Sequence, residues 1–262
     1  MVNRYSAHIG YLFTEMPLAR RISAAASAGF TAIEHPQPFD IDARALRETL
    51  SDYGLVFSQL AGGSGDGSKG EKGLAALPGR QKDFRKGFNR ALEYAQIVDS
   101  PYIHPMAGVP GEADERHVSE TYLENIRYSL ERTAGTSTSV LIEAISPAAV
   151  PGYLISSLEK AAAVQDQFGN DKILLLVDTY HAAAFGTDLR QWIPANGHRI
   201  GHIHIADFPG RHEPGTGSVP FDEILDALDG VAFTGAIGFE YIPSGSTIQS
   251  VNFLKSWLNR RQ

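Results

Sequence analysis

Four apolar segments in the second half of the chain each run into one ionisable residue. SVLIE ends on Glu143, ILLLVD on Asp178, IGHIH on His204 and IGFE on Glu240. A buried charge is costly unless it is paired or bound to a metal, so each of these residues needs a partner. Three carboxylates and one imidazole form a donor set for one borderline-to-hard divalent ion, Mn2+, Mg2+ or Co2+ in preference to Zn2+. The competing reading gives each residue its own unrelated polar network. Four such residues at matching positions on consecutive runs favour a shared site.

Other polar residues follow these runs. His181 lies three positions after Asp178 in DTYH and is read as a substrate contact, with a helix cap as the alternative. The Gly/Pro-rich segment ADFPGRHEPGTGSVPF carries Arg211, His212 and Glu213. The planar guanidinium fork of Arg211 suits a carboxylate or a sugar oxygen. His104, at the end of another apolar run, is a further candidate for the same mouth. His8 and His35 either line it or are hydrogen-bonded core residues.

Such residues meet only if the elements carrying them are arranged for it. Eight short β-rich runs cover residues 5–9, 32–35, 55–60, 102–105, 140–145, 173–178, 200–205 and 236–241. Helical periodicity fills the gaps. In LARRISAAASAGF, Leu18, Ile22, Ala25 and Ala26 share one face before Gly29; in IDARALRETLSDYG, Ile41, Ala45 and Leu46 precede Gly54. Later helices are expected over about 79–98, 114–132, 155–167, 188–195, 220–228 and 247–259. Strict alternation implies a parallel sheet with right-handed crossovers, and eight repeats fit a single (β/α)8 barrel domain over residues 1–262. An open doubly wound sheet is the alternative, but no Gly-x-Gly-x-x-Gly follows the first strand. The long stretch AGGSGDGSKGEKGLAALPGR falls where barrel active sites lie and is expected to be a substrate-covering lid rather than a disordered insertion.

Composition narrows the function classes. With 43% hydrophobic residues the 262-residue chain can bury a large core. A net charge of −7 argues against a nucleic-acid partner. The absence of cysteine removes disulfides, thiolate ligands and thiol nucleophiles together. The longest apolar run, ILLLV, is far too short for a membrane span, and the polar start MVNRYSAHIGYLF lacks a signal-peptide core. A cytoplasmic protein is expected.

The sequence resembles the xylose-isomerase-like superfamily of sugar isomerases and epimerases, and within it the hydroxypyruvate isomerases with the related 2-oxo-tetronate isomerases. The resemblance rests on GEKGLAALPGR at 70–80, ENIRY at 124–128, LIEAI at 141–145, PGY at 151–153, VDTYH at 177–181, HIHIADFPGRHEPGTG at 202–217 and GFEY at 238–241. It implies a metal held by Glu143, Asp178, His204 and Glu240, with Glu143 and Glu240 also the acid/base pair that moves a proton through an enediolate. Which glutamate abstracts is left open. The implied substrate is a small hydroxy-oxo acid of the hydroxypyruvate or tartronate semialdehyde type, with Arg211 and Lys69 or Lys72 available for its carboxylate.

Several positions depart from that pattern. His204 stands where these isomerases usually carry Gln, and LIEPIN becomes LIEAIS with Ala144 and Ser146. QLAGGSGD replaces NLPAGDW, and SAHIG places His8 where Asn is expected. These changes spare the metal set and fall on groups near the substrate. A ketose 3-epimerase or other sugar isomerase on the same metal is therefore kept as the alternative, as is a non-catalytic sugar-binding barrel. An apurinic-site endonuclease is disfavoured, because Gln59 and Leu60 stand where a His ligand is needed and Gly210 replaces an aspartate. Homo-oligomerisation is open, by analogy with other barrels of the superfamily.

Overall fold

The β-rich runs become nine strands among the described residues, 4–169 and 171–260 of the computed structural model. They are β1 (Tyr5–His8), β2 (Ala32–Glu34), β3 (Val56–Phe57), β4 (Gln59–Gly62), β5 (Tyr102–Pro105), β6 (Ser139–Glu143), β7 (Ile173–Asp178), β8 (Ile200–Ile205) and β9 (Ala236–Phe239). Eight were expected. The third run is broken at Ser58, which turns inward: its N–H donates to the carbonyl of Ile33 at 2.9 Å and its hydroxyl to the Glu34 carboxylate at 2.8 Å.

Two compact units emerge. The first takes residues 1–35, 44–58 and 177–262, the second residues 36–43 and 59–176. In the first, the strands run in the order β3-β2-β1-β9-β8. Parallel register sets Ser6 opposite both Ala32 and Gly238, His8 opposite Glu34, and His204 opposite Gly238. In the second, the order is β7-β6-β5-β4, also parallel, with Glu143 opposite Leu176. Strand β7 leaves the second unit at Leu176 and ends in the first, at Asp178.

Among the described residues ten α-helices fill the intervals: α1 (Leu18–Ser27), α2 (Ala43–Asp52), α3 (Gln81–Ile97), α4 (Glu115–Thr133), α5 (Leu158–Phe168), α6 (Thr179–Phe185), α7 (Leu189–Asn196), α8 (Phe221–Gly230), α9 (Thr247–Ser250) and α10 (Leu254–Arg260). Each buries one stripe. In α3, Phe84, Phe88, Ala91, Leu92 and Ala95 recur at helical spacing and face β4 and β5. Helices α4 and α5 start on Asp114 and Ser157, whose side chains accept the N–H of His117 and Lys160. The helix expected over 247–259 is two helices, α9 and α10. Leu254 and Trp257 of α10 are buried, and the Trp257 ring lies 5.7 Å from Phe239 in the sheet. Tyr5, Phe239, Phe253 and Trp257 form the aromatic core of the first unit.

The glycine-rich stretch is more ordered than expected. Leu74, Ala75 and Ala76 are buried, and the N–H groups of Ala75 and Ala76 donate to the carbonyls of Met106 and Ala107 at 3.2 and 2.8 Å. Gly73, at φ +119°, lies against the backbone of Met106 too closely to admit a side chain. Exposure is confined to the tip, Gly67–Gly70, and to Lys72 and Gly79. The stretch is thus a short exposed tip on a segment anchored by backbone hydrogen bonds.

Candidate functional site

The strand ends of the first unit carry its buried ionisable groups. Asp178 closes β7 and caps α6: its Oδ1 accepts the N–H of Tyr180 at 2.7 Å and of His181 at 3.2 Å. That leaves Oδ2 facing Arg211 Nη2 at 3.4 Å. Glu240 follows β9. Its Oε1 lies 3.4 Å from His8 Nε2, and its Oε2 lies 3.4 Å from His204 Nδ1 and in close contact with Arg211 Nη2. Burial pushes the Glu240 carboxyl up, but Arg211, His204 and His8 together outweigh it and hold it well below the usual carboxylate range. Asp178, His204 and Glu240 each offer a ligand atom within 4.8 Å of the others.

Strand alternation puts His202 and His204 on the same face of β8, and both are buried. Below them sits a carboxylate the sequence reading did not single out. Glu34, at the end of β2, is fully buried; its Oε2 lies 2.8 Å from His202 Nε2 and its Oε1 3.0 Å from His204 Nε2. The hydroxyls of Ser58 and Ser6 donate to the same carboxylate at 2.8 and 3.1 Å. Burial raises the Glu34 carboxyl, yet His202 and His204 bring it well below its ordinary range. Burial also depresses His204, but Glu34 and Glu240 reverse this and hold it well above the usual imidazole value. His8, His181 and His202 are lowered, in each case by burial first.

Arg211 adopts φ +55°, uncommon for a non-glycine residue. The guanidinium carbon lies 5.3 Å from the ring centroids of both Tyr11 and Tyr180. A planar cation between two rings, facing two carboxylates, is well placed to meet an anionic or oxygen-rich ligand. Its neighbours His212 and Glu213 do different work. His212 Nδ1 lies 2.7 Å from the carbonyl of Ile242, and Glu213 accepts the N–H of Ser244 at 3.0 Å, so both clasp the loop to the segment after β9.

Asp207 organises that loop, and the sequence reading missed it. Its carboxylate is buried and accepts four backbone N–H groups: Phe208 and Val219 at 2.8 and 3.0 Å, Gly215 and Gly217 at 2.9 and 2.8 Å. The available signal was an acid between an apolar strand and a glycine-rich loop.

In the second unit Glu143 ends β6, buried, with Oε2 3.5 Å from Nδ1 of the buried His104. The Tyr153 phenol is raised well above its ordinary value by burial and then by the charge of Glu143, and its oxygen accepts the N–H of Ala107 at 2.9 Å. Lys69 is exposed and pairs with Asp66 at 3.2 Å; Lys72 is exposed as well. His35 is half-buried after β2, lowered to about 4 by burial, then by His8 and Arg21. Among the described residues no helix is long and apolar enough to cross a membrane.

Comparison with known proteins identifies the family. A family model described as a xylose isomerase-like TIM barrel matches residues 22–257. The 2-oxo-tetronate isomerase of Cupriavidus necator is 35% identical, over 98% of this chain and 99% of that protein. The hydroxypyruvate isomerase of Escherichia coli is 30% identical, over 93% of this chain and 95% of its own length. A solved structure from Brucella melitensis, titled AP endonuclease, family 2, superposes with a TM-score of 0.94 at 30% identity, covering 98% of this chain and 99% of that one. The alternation of strands and helices is therefore that of a TIM barrel rather than an open sheet, and the chain belongs to the xylose isomerase-like family, with the hydroxypyruvate and 2-oxo-tetronate isomerases.

Proposed function

We propose that the protein is a metal-dependent isomerase of a small hydroxy-oxo acid, of the hydroxypyruvate or 2-oxo-tetronate type. The observation that carries this reading is the juxtaposition of Arg211 with Asp178, His204 and Glu240. In this reading Arg211 is the carboxylate-binding cation beside a divalent-ion donor set. The donor chemistry fits an ion: three oxygen and nitrogen ligands lie within 4.8 Å, and neither ring nitrogen of the buried His204 makes an aligned hydrogen bond. Register supports Glu143 as the fourth ligand, since it lies opposite Leu176 and Asp178 stands two residues further along the same strand. Three carboxylates favour Mn2+, Mg2+ or Co2+ over Zn2+.

Asp178, His204 and Glu240, with Glu143, would hold a divalent ion, which would supply Lewis acidity toward developing negative charge on the substrate oxygens. The remaining chemistry belongs to the chain. Arg211 grips the substrate carboxylate and so fixes which carbon faces the glutamates. Glu143 and Glu240 form the proton-transfer pair: one takes the proton from the carbon beside the carbonyl, and a proton is returned to the neighbouring carbon. His181, buried against Asp178 and lowered by that burial, lies beside the Arg211 end of the site. A cytoplasmic location belongs to the same reading.

The test is turnover of hydroxypyruvate, tetronate-derived oxo acids and ketoses with added Mn2+, Mg2+ or Co2+. Glu143→Gln and Glu240→Gln should each lower kcat by roughly 100-fold or more. Full activity in both would refute the acid/base assignment. A nuclease reading lacks its ligands here: Gly210 leaves no carboxylate, and His212 is engaged with the Ile242 carbonyl.

A further inference from the structure

We infer that Glu34 is a positioning residue for the ligand His204: its Oε1, 3.0 Å from Nε2, keeps the proton on that nitrogen when a metal is bound and so turns Nδ1, as a bare lone pair, toward the metal. This rests on the metal site proposed above and adds a residue outside the ligand set. Glu34 sits on β2, and two strands, β1 and β9, separate it from β8 in the sheet order. It reaches His202 and His204 across the inner face because the intervening positions are small. Ser6 lies opposite Gly238, and Gly238 lies opposite His204. A Cβ at Gly238 would collide with Glu34 Oε1 and come within 2.8 Å of His202 Nε2. The path is therefore kept open by the absence of a side chain.

The contacts divide the carboxylate between two tasks. Oε2 is occupied by the Ser58 and Ser6 hydroxyls and by His202, which fix its position. Oε1 is left to His204 Nε2 at 3.0 Å, while Nδ1 on the other side of that ring points to Glu240. A fully buried carboxylate is an expensive way to fill a core, and an apolar residue of similar size would pack there without the desolvation cost. Orienting a ligating imidazole through its second nitrogen is a task that needs one. A carboxylate on the far nitrogen fixes the tautomer and raises the basicity of the ligating one.

Mn2+ binding to the purified protein, followed by calorimetry or by EPR of the free ion, tests this with the metal alone. Wild type should bind one Mn2+, and Glu240→Gln should bind it far more weakly; a wild type that binds none would end the metal reading itself. Against a binding wild type, Glu34→Ala should weaken Mn2+ by roughly 10- to 100-fold. Glu34→Gln, which keeps an acceptor oxygen, should recover part of that loss. In a His204→Ala background the Glu34 substitution should cost nothing further, since its effect passes through the imidazole. An unchanged affinity in Glu34→Ala, or an equal loss in both backgrounds, would overturn the inference. A measurement without substitutions guards against variants that fold badly. In the Mg2+-loaded wild type, 15N spectra of labelled histidine should show the His204 proton on Nε2; a proton on Nδ1 would be fatal to the idea.

Discussion

Arg211 is fixed by its surroundings rather than by its own stem. Its ring neighbours Tyr11 and Tyr180 lie on one unit with it, and its guanidinium meets Asp178 and Glu240. Lysine offers a point charge with no flat face, so it reproduces neither the stacking nor the two-pronged grip. Arg211→Lys should therefore raise KM for an oxo acid about tenfold or more, with a smaller change in kcat and little effect on an uncharged ketose. Steady-state kinetics on both substrate types checks this; equal damage to both would remove Arg211 from carboxylate recognition. Gly238 is a second residue whose identity matters. Gly238→Ala forces Glu34 or β9 to move and should destabilise the fold by roughly 2–3 kcal/mol in denaturant titration. The residue scale is also where sequence was uneven. The charges ending apolar runs could be read directly, because burial demands a partner for each. Glu34 was not legible, since its partners come from β1, β8 and the Ser58 break, and no local spacing joins them.

The element that sets the site apart is the loop after β8, and its order comes from Asp207. Four N–H groups converge on one buried carboxylate, which turns a glycine-rich segment into a fixed platform for Arg211. Arg211 N–H in turn donates to the Asp207 carbonyl at 2.8 Å, and the Arg211 carbonyl accepts from Ile242 N–H at 2.8 Å. Hydrogen bonds to a charged acceptor contribute about 1.5–3 kcal/mol each, though not additively. Asp207→Ala should thus cost about 3 kcal/mol and free the loop. Hydrogen exchange should speed up at Gly215, Gly217 and Val219, with KM rising more than kcat falls. Unchanged protection at those amides would mean the loop is held by the Glu213–Ser244 clasp instead. Sequence reading found this loop and its arginine, but counting its N–H acceptors needs coordinates. The same limit explains the anchored half of the glycine-rich stretch. Its glycines suggested freedom, while the carbonyls of Met106 and Ala107 that bind it lie more than 30 residues away.

Across the whole molecule, the barrel pattern was legible because strand and helix periods alternate so regularly; the split third strand and the divided last helix were not, being imposed by tertiary contacts. The same concentration of polar groups at the strand ends governs how the protein responds to acid. His35 is lowered to about 4 by burial, then by His8 and Arg21, and His8, His181 and His202 are lowered in the same direction. In the unfolded chain these imidazoles take up protons near the ordinary value of 6.5. Between pH 6.5 and 4 the unfolded state therefore binds more protons than the folded one, so stability falls as pH falls through that window. Glu34 and Glu240, held low in the folded state, extend the loss below about 4.5. His204, held high, acts in the opposite sense: its contribution is complete below 6.5 and disappears as pH rises through its raised value. One imidazole against four leaves the acid side the weaker one. Thermal unfolding of the metal-free protein should show its midpoint falling steadily from pH 6.5 to 4. His35→Gln should flatten that slope, sparing on the order of 2 kcal/mol at pH 4 once partial exposure is allowed for. A variant whose midpoint falls as steeply as that of wild type would show that protonating His35 costs the fold nothing.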